Sequence, residues 1–467
     1  MLDVHVIVLG QGQSQKQVRD DLSLHLGDTL GSKYLHRPAA CSVSGSALAC
    51  ALVLRQLSLD VLVWGDCHMD ALTAFTAMMR AAPVTVAFWG HPSTIGWDTV
   101  DYFITSNSFE GVLDQGQGRP KAVHREARLN DFSEQLVAFD SLSAAIYWPH
   151  LAAQNSTPDG VSLSSNCELV LRRLMESHWS CRTLDGLPPR LPVSRHVVQE
   201  PNNHHKQGGN DEDLKPGPRF YGCLQSLFKM HPALDLALAA LLRADTEAVV
   251  LVLLPEEQPV WASRFIERLR RVLTTGAQGS VTDLNLASRV WIVAPLPTVD
   301  YEAVVCSLHV TLDPFPFGGG LTLVDGLSCP EPVPFVTVSA LQSVHRIGAG
   351  FVAALAREQQ GDETHPCTFP LGLDASLPLI SPSPANATST TTSTHKPLLI
   401  AQVENFATTA IGLAKRSQAC RIYLAGAASI DGGSPRRNQV RRALFDPTIA
   451  AEEWRAFLLR ASDRASD

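Results

Sequence analysis

Residues 312–325, LDPFPFGGGLTLVD, hold the groups in this chain best suited to gripping an anion. An apolar, partly β-branched run over 307–312 reads as a buried strand. A proline-aromatic turn follows, then three glycines (Gly318, Gly319, Gly320) and an apolar stretch from Leu321 that suits a helix. Strand, glycine turn and helix start direct backbone N–H groups toward one point, where a phosphate can sit. Glycine suits the place because a side chain would hold the phosphate off the backbone, and because such a turn can need positive φ. Thr322 adds a hydroxyl at the helix start, and Asp325, one turn on, can reach a sugar hydroxyl. A lone GGG is explained about as well by a flexible surface loop; the flanking strand and helix favour the anion site.

A second group has acid–base character. Asp66 and His68 follow an apolar run over 59–64, and Gly90, His91 and Pro92 follow another over 84–89. In a parallel sheet, ligands gather at the carboxyl ends of the strands. The two histidines then converge on one crevice and can exchange protons there. A hydrogen-bonded structural histidine is the competing reading for each.

The elements that must position these groups fall into two strand–helix halves. Residues 4–9, 59–64 and 84–89 read as strands of the first half. Between the last two, a helix over 70–82 has Asp70 as its N-cap and Leu72, Phe75, Met78 and Met79 at packing positions. The second half has strands at 219–223, 248–254, 290–293, 307–312 and 334–338. Its helices lie near 232–243 and 265–273, with Arg264, Arg268, Arg270 and Arg271 mostly on a solvated face. The division expected is 1–150 for the first lobe, 151–218 for a variable linker, 219–365 for the second lobe, 366–397 for a low-complexity insertion and 398–467 for terminal helices. The linker carries NNHHKQGGNDED, so Asp211–Asp213, formally D-x-D, and the pair His204 and His205 read as solvated loop, not metal ligands. The stretch SPSPANATSTTTSTHKP cannot bury a core and reads as disordered. Trp454, Phe457 and Leu458 form one apolar face of the last helix.

With 467 residues, the chain has room for two or three domains. Its 45% hydrophobic and 18% charged residues suit a soluble globular protein, and a net charge of −8 argues against a general nucleic-acid binder. No apolar run approaches a membrane span, and the start, MLDVHVIVLG, lacks the basic region of a signal peptide. Ten cysteines lie scattered without a C-x-x-C pair, which reads as buried free thiols in a reducing compartment.

LDPFPFGGGLTLVDGL resembles the nucleotide-sugar loop of the O-GlcNAc transferase family. Residues 87–105, AFWGHPSTIGWDTVDYFIT, and 219–232, RFYGCLQSLFKMHP, are similar to two further segments of that family, in the same order. The resemblance implies an α/β fold of the GT-B type: two Rossmann-like lobes with parallel sheets, the first incomplete at its N-terminus. It implies inverting transfer of N-acetylglucosamine from UDP-GlcNAc to protein Ser/Thr hydroxyls, without metal or other cofactor. The partners implied are a UDP-sugar and protein acceptors, with no nucleic acid and no membrane, in the cytoplasm or the nucleus and cytoplasm. A departing diphosphate needs its growing charge stabilised, by a metal or by an ammonium group with helix-terminal N–H groups. Lys229 matches the family's lysine in that role. His91 falls in a G-H-P that lines the family's catalytic cleft, and His68 is its nearest companion.

Ala294, Tyr301 and Arg346 fall where the family contacts the donor. Tyr301 equally suits ordinary packing, and Arg346 a surface pair. Departures are plain. No H-P-x-x-H occurs, nor a repeat of about 34 residues, and the family's G-H-T-T-G is here Gly319-Gly320-Leu321-Thr322-Leu323. The segment with the missing histidine also carries a strand in the family, so 4–9 is expected at an open sheet edge, with poor transfer by the isolated chain. A GDP-fucose-using relative and a non-catalytic nucleotide-sugar-binding scaffold are the alternatives.

Overall fold

A computed structural model describes residues 3–7, 35–36, 38–41, 45–65, 67–110, 112–113, 120–121, 132–144, 181–189, 217–254, 258–274, 286–329, 332–338, 347–357, 392–424, 444 and 446–465. The chain divides into one unit of Met1–Tyr147 with Ala443–Asp467, and another of Trp148–Arg442.

In the first unit β1 (Val6–Ile7) and β2 (Leu35–His36) form a parallel pair of their own. The main sheet is β3 (Val61–Trp64), β4 (Val84–Phe88), β5 (Tyr102–Ser106) and β8 (Gln135–Phe139), parallel throughout and in that spatial order. A small antiparallel pair, β6 (Val112–Leu113) and β7 (Pro120–Lys121), stands apart. Every residue of β5 is buried, as strands covered on both faces require.

Helix Ala71–Ala77 starts as its sequence dictates, Asp70 accepting from the Thr73 backbone N–H at 2.7 Å. Its packing face differs from the one expected. Thr73, Thr76 and Ala77 are buried, whereas Phe75 is 58% and Met78 46% exposed. Hydroxyls can take the inner face because they are satisfied locally: Thr76 donates to Leu72 O at 2.6 Å and Thr73 to Asp70 at 3.0 Å.

The terminal helix Thr448–Ala465 packs in the first unit. Phe457 meets Tyr102 edge-on at 5.4 Å, Trp454 meets Phe139 likewise at 5.4 Å, and the Trp454 indole donates to Ser143 O at 2.7 Å. Phe457→Ala is expected to cost about 3–5 kcal/mol through the cavity it leaves. Urea unfolding checks this, and a loss well under 1 kcal/mol would deny the helix its place on the sheet.

The second unit's sheet runs β14-β13-β10-β11-β12-β9. Its strands are β9 (Cys181–Thr183), β10 (Arg219–Cys223), β11 (Ala248–Leu253), β12 (Val290–Val293), β13 (Val310–Leu312) and β14 (Phe335–Val336). All pair in parallel except β9, which runs antiparallel on β12. The chain fills one side from β10 to β12, then returns to the other side of β10 with β13 and β14. That reversal makes a crevice between the carboxyl ends of β10 and β13.

Around this sheet several expectations change. Ser307 closes helix Thr298–Ser307, so the strand expected from 307 begins at Val310. Helix Pro259–Thr274 leaves Arg264, Arg270 and Arg271 exposed, as expected, with Arg268 half-buried. Arg268 pairs with the fully buried Asp235, and Arg270 donates to Leu184 O, because both reach groups that the neighbouring elements bury. Helix Thr392–Lys415 packs along helix Pro232–Ala244 and begins inside the stretch read as disordered; the rest of that stretch, with His204, His205 and Asp211–Asp213, lies outside the described residues.

The cysteine reading is corrected too. Cys41 pairs with Cys50, and Cys306 with Cys329, while Cys181 and Cys223 are free thiols. Separations of 9 and 23 residues leave no C-x-x-C signal; neighbouring turns and helices bring the partners together. Among the described residues no helix is long and apolar enough to cross a membrane.

Candidate functional site

At the end of β10 the chain runs through Gln225 into a tight turn, Leu227–Lys229, and then into helix Pro232–Ala244. Pro232 opens that helix, where its missing N–H costs nothing, and the His231 ring accepts from the Ala233 N–H at 3.2 Å. Met230 O is held by Arg268 at 2.5 Å. Lys229 is thereby fixed at both ends and half-buried. Its Nζ donates to Gly318 O at 3.0 Å, lies 3.5 Å from Gln225 Oε1, and stands 4.9 Å over the Phe317 ring. Burial lowers its pKa, against the pull of Asp313. An ammonium has three protons to donate, and Gly318 and Gln225 are the acceptors it meets among the described residues.

Across the crevice β13 ends at Asp313 and the glycine turn. Oδ1 of Asp313 accepts from Gly319 N at 2.5 Å, and Oδ2 from the Thr337 hydroxyl at 2.6 Å. The carboxyl is 1% exposed, and burial pushes its pKa up to about 7, with those bonds and Lys229 pulling the other way. None of Gly318, Gly319 and Gly320 has positive φ, which corrects that reason for glycine. A Cβ on Gly319 would lie 2.6 Å from Gln225 Nε2 and 3.1 Å from Asp313 Oδ1, while Gly320 faces open space. A side chain on Gly319 would therefore push Gln225 and Asp313 aside.

Helix Leu321–Leu327 follows, with Gly320 as an N-cap that supplies no side chain. The Thr322 hydroxyl accepts from Gln225 Nε2, so Gln225 ties Lys229 to the helix start. Asp325 accepts from the Tyr301 hydroxyl at 2.8 Å; burial pushes Asp325 up to about 6 and the Tyr301 phenol well up. Ala294 lies just past β12, and Arg346 lies outside the described residues.

In the first unit, the loops after β3 and β4 bring His68 and His91 together, rings stacked at 4.5 Å and 25° apart. A Cβ on Gly90 would come within 2.6 Å of Gly65 O, so glycine there lets the two loops touch. The loop carrying His91 is tied down beyond it: Thr94 Oγ1 donates to Glu134 at 2.7 Å and Ile95 N at 2.6 Å. Burial lowers the His68 pKa, against the attraction of Glu134. Asp66 lies outside the described residues.

Reasoning from sequence passed over Asp313, Gln225, Thr337 and Glu134. A carboxylate directly after a strand that feeds a glycine turn was the one signal available for Asp313.

No protein-family profile matches the chain, and no curated protein matches it. Solved structures do. A lysine-to-methionine mutant of the Thermobaculum terrenum O-GlcNAc transferase superposes with a TM-score of 0.52 over 99% of this chain and 68% of its own, at 14% identity. The fold is of the GT-B type. At that identity the likeness is one of fold. Weaker likenesses include a UDP-forming α,α-trehalose-phosphate synthase from Burkholderia xenovorans (TM-score 0.40, 10% identity, 95% of this chain and 82% of that one). Another is the pneumococcal O-GlcNAc transferase GtfA (0.37, 10%, 89% and 60%). Within the GT-B fold the second unit joins Lys229 to Gly318, Gly319 to Asp313, Thr322 to Gln225 and Tyr301 to Asp325. Among the described residues no three His, Cys, Asp or Glu side chains converge as a metal ion would need.

Proposed function

We propose that this chain is an inverting glycosyltransferase that moves N-acetylglucosamine from UDP-GlcNAc to protein Ser/Thr hydroxyls, without a metal. The observation that carries the reading is the Lys229 ammonium, half-buried at the switch point and held against Gly318 O at the glycine turn. An attacking hydroxyl oxygen forms the new bond to the anomeric carbon as the bond to the diphosphate oxygen breaks on the opposite face. Charge grows on the diphosphate, and Lys229 with the N–H groups of the turn is the equipment that stabilises it. The hydroxyl proton needs a base, and the His91–His68 pair is assigned that role. Asp325 and Tyr301 are assigned to the nucleoside; Ala294 and Arg346 are assigned to the donor on the sequence resemblance alone. The GT-B fold and the three sequence segments support the donor and acceptor.

UDP is expected to bind equally well with and without EDTA by calorimetry; a strict need for a divalent ion would return the search to metal chemistry. Tighter binding of GDP than of UDP would favour a fucosyl donor. Transfer is read as radiolabelled N-acetylglucosamine on a Ser/Thr peptide. UDP binding with no transfer to peptide or to water would favour the scaffold reading.

A further inference from the structure

Three glycines crowd one carboxyl. A Cβ on Gly318 would lie 3.2 Å from Asp313 Oδ2, one on Gly319 would lie 3.1 Å from Oδ1, and one on Gly348 would lie 2.6 Å from Oδ2. Gly348 belongs to helix Ile347–Arg357, so two separate segments leave out side chains around Asp313. The carboxyl is buried, and it joins the end of β13 to the glycine turn through Gly319 N and to the residue after β14 through Thr337. A buried acid so placed controls both the shape of the turn and the charge beside Lys229. Leaving a charge buried without full pairing is costly, and no ion pair joins Asp313 to Lys229 among the described residues.

Resting on the nucleotide reading above, we propose that Asp313 is a positioning residue for Lys229 and the glycine turn, and that a diphosphate binds beside Lys229 with Asp313 protonated. The proton comes from a hydronium ion of the solvent, which is left as water, and goes to a carboxyl oxygen; no other bond changes. The geometry allows both states. Ionised, Asp313 accepts from Gly319 N and from the Thr337 hydroxyl. Protonated, it still accepts from Gly319 N and donates to Thr337, whose hydroxyl turns to accept. The turn keeps its shape while the local charge changes by one. The titratable groups facing the carboxyl are Lys229, from the turn after β10, and the Cys223 thiol at the end of β10, itself pushed up by burial and by Asp313. A pKa near 7 places the change in the neutral range. An arriving diphosphate repels the ionised carboxylate and so favours the protonated form.

The test compares wild type with Asp313→Asn, whose carbonyl and amide N–H copy the protonated acid. UDP itself titrates near pH 6, so the readout is the ratio of the two affinities. Wild-type affinity relative to Asp313→Asn is expected to fall on the order of tenfold from about pH 6 to about pH 8.5. A flat ratio with intact UDP binding overturns the role of the proton. Asp313→Ala loses both bonds and is expected to bind UDP about tenfold or more weakly than Asp313→Asn at every pH; equal affinity of the two variants overturns the positioning role.

A readout without nucleotide separates this inference from the reading it rests on. The folded carboxyl keeps its proton to about pH 7, above the unfolded value. Wild-type stability relative to Asp313→Asn therefore falls as pH rises from about 4 to about 7 and is level above. A level difference throughout denies the titration. Loss of UDP binding in both proteins, with the stability titration present, overturns the nucleotide reading instead.

Discussion

On the proposed reading, Lys229→Met is expected to lower UDP-sugar turnover by on the order of 10²-fold or more, the scale of losing one preorganised charge stabiliser. Methionine keeps an unbranched stem over the Phe317 ring, so the loss reports charge and hydrogen bonding more than packing. The turn is expected to survive, because Gly319 is held by Asp313, and Thr322 by Gln225, independently of the ammonium. Melting temperature should thus change little while kcat falls. The fall belongs mainly in kcat, since charge on the diphosphate is greatest as its bond to the sugar breaks. Steady-state kinetics with UDP-GlcNAc and a Ser/Thr peptide checks this. Unchanged kinetics would return Lys229 to the role of a surface cation packed on Phe317.

Arg268→Ala is expected to destabilise the second unit by about 3–5 kcal/mol. Its guanidinium pairs with Asp235, which is 0% exposed in the first turn of helix Pro232–Ala244, and also holds Met230 O. Removing the arginine leaves a buried carboxyl whose pKa is already raised by desolvation. That carboxyl then stays charged only at a cost, or takes up a proton. The folded pKa lies above the unfolded one, so the stability lost is smaller at low pH and grows as pH rises toward the folded value. Denaturant unfolding at about pH 5 and about pH 8 reads the difference. Asp235→Asn in the same chain should recover part of the loss. A change under 1 kcal/mol at both pH values would mean that water reaches Asp235. Because Met230 directly follows Lys229, UDP affinity is expected to weaken as well.

Local chemistry in the sequence determined much of this protein. Apolar runs, several of them β-branched, made the strands of the two main sheets, Asp70 started its helix, and Pro232 started another. The order of apolar runs and turns placed Lys229 and the glycine turn at strand ends, and the three long segments pointed to the fold that the structure has. These signals are legible because each depends on residues a few positions apart.

The tertiary structure decided what joins them. Lys229 meets Gly318 across 89 residues, Gln225 meets Thr322 across 97, and Asp313 meets Thr337 across 24. No periodicity records such pairs. The same distance in sequence hid the reason for Gly319, whose missing side chain makes room for Gln225 and Asp313. It hid the disulfides, the edge strand β9, and the choice of Thr73, Thr76 and Ala77 over Phe75 and Met78 for the inner face of a helix. A buried polar group is fixed by partners that only the folded chain assembles, because its burial is tolerable only once they are in place.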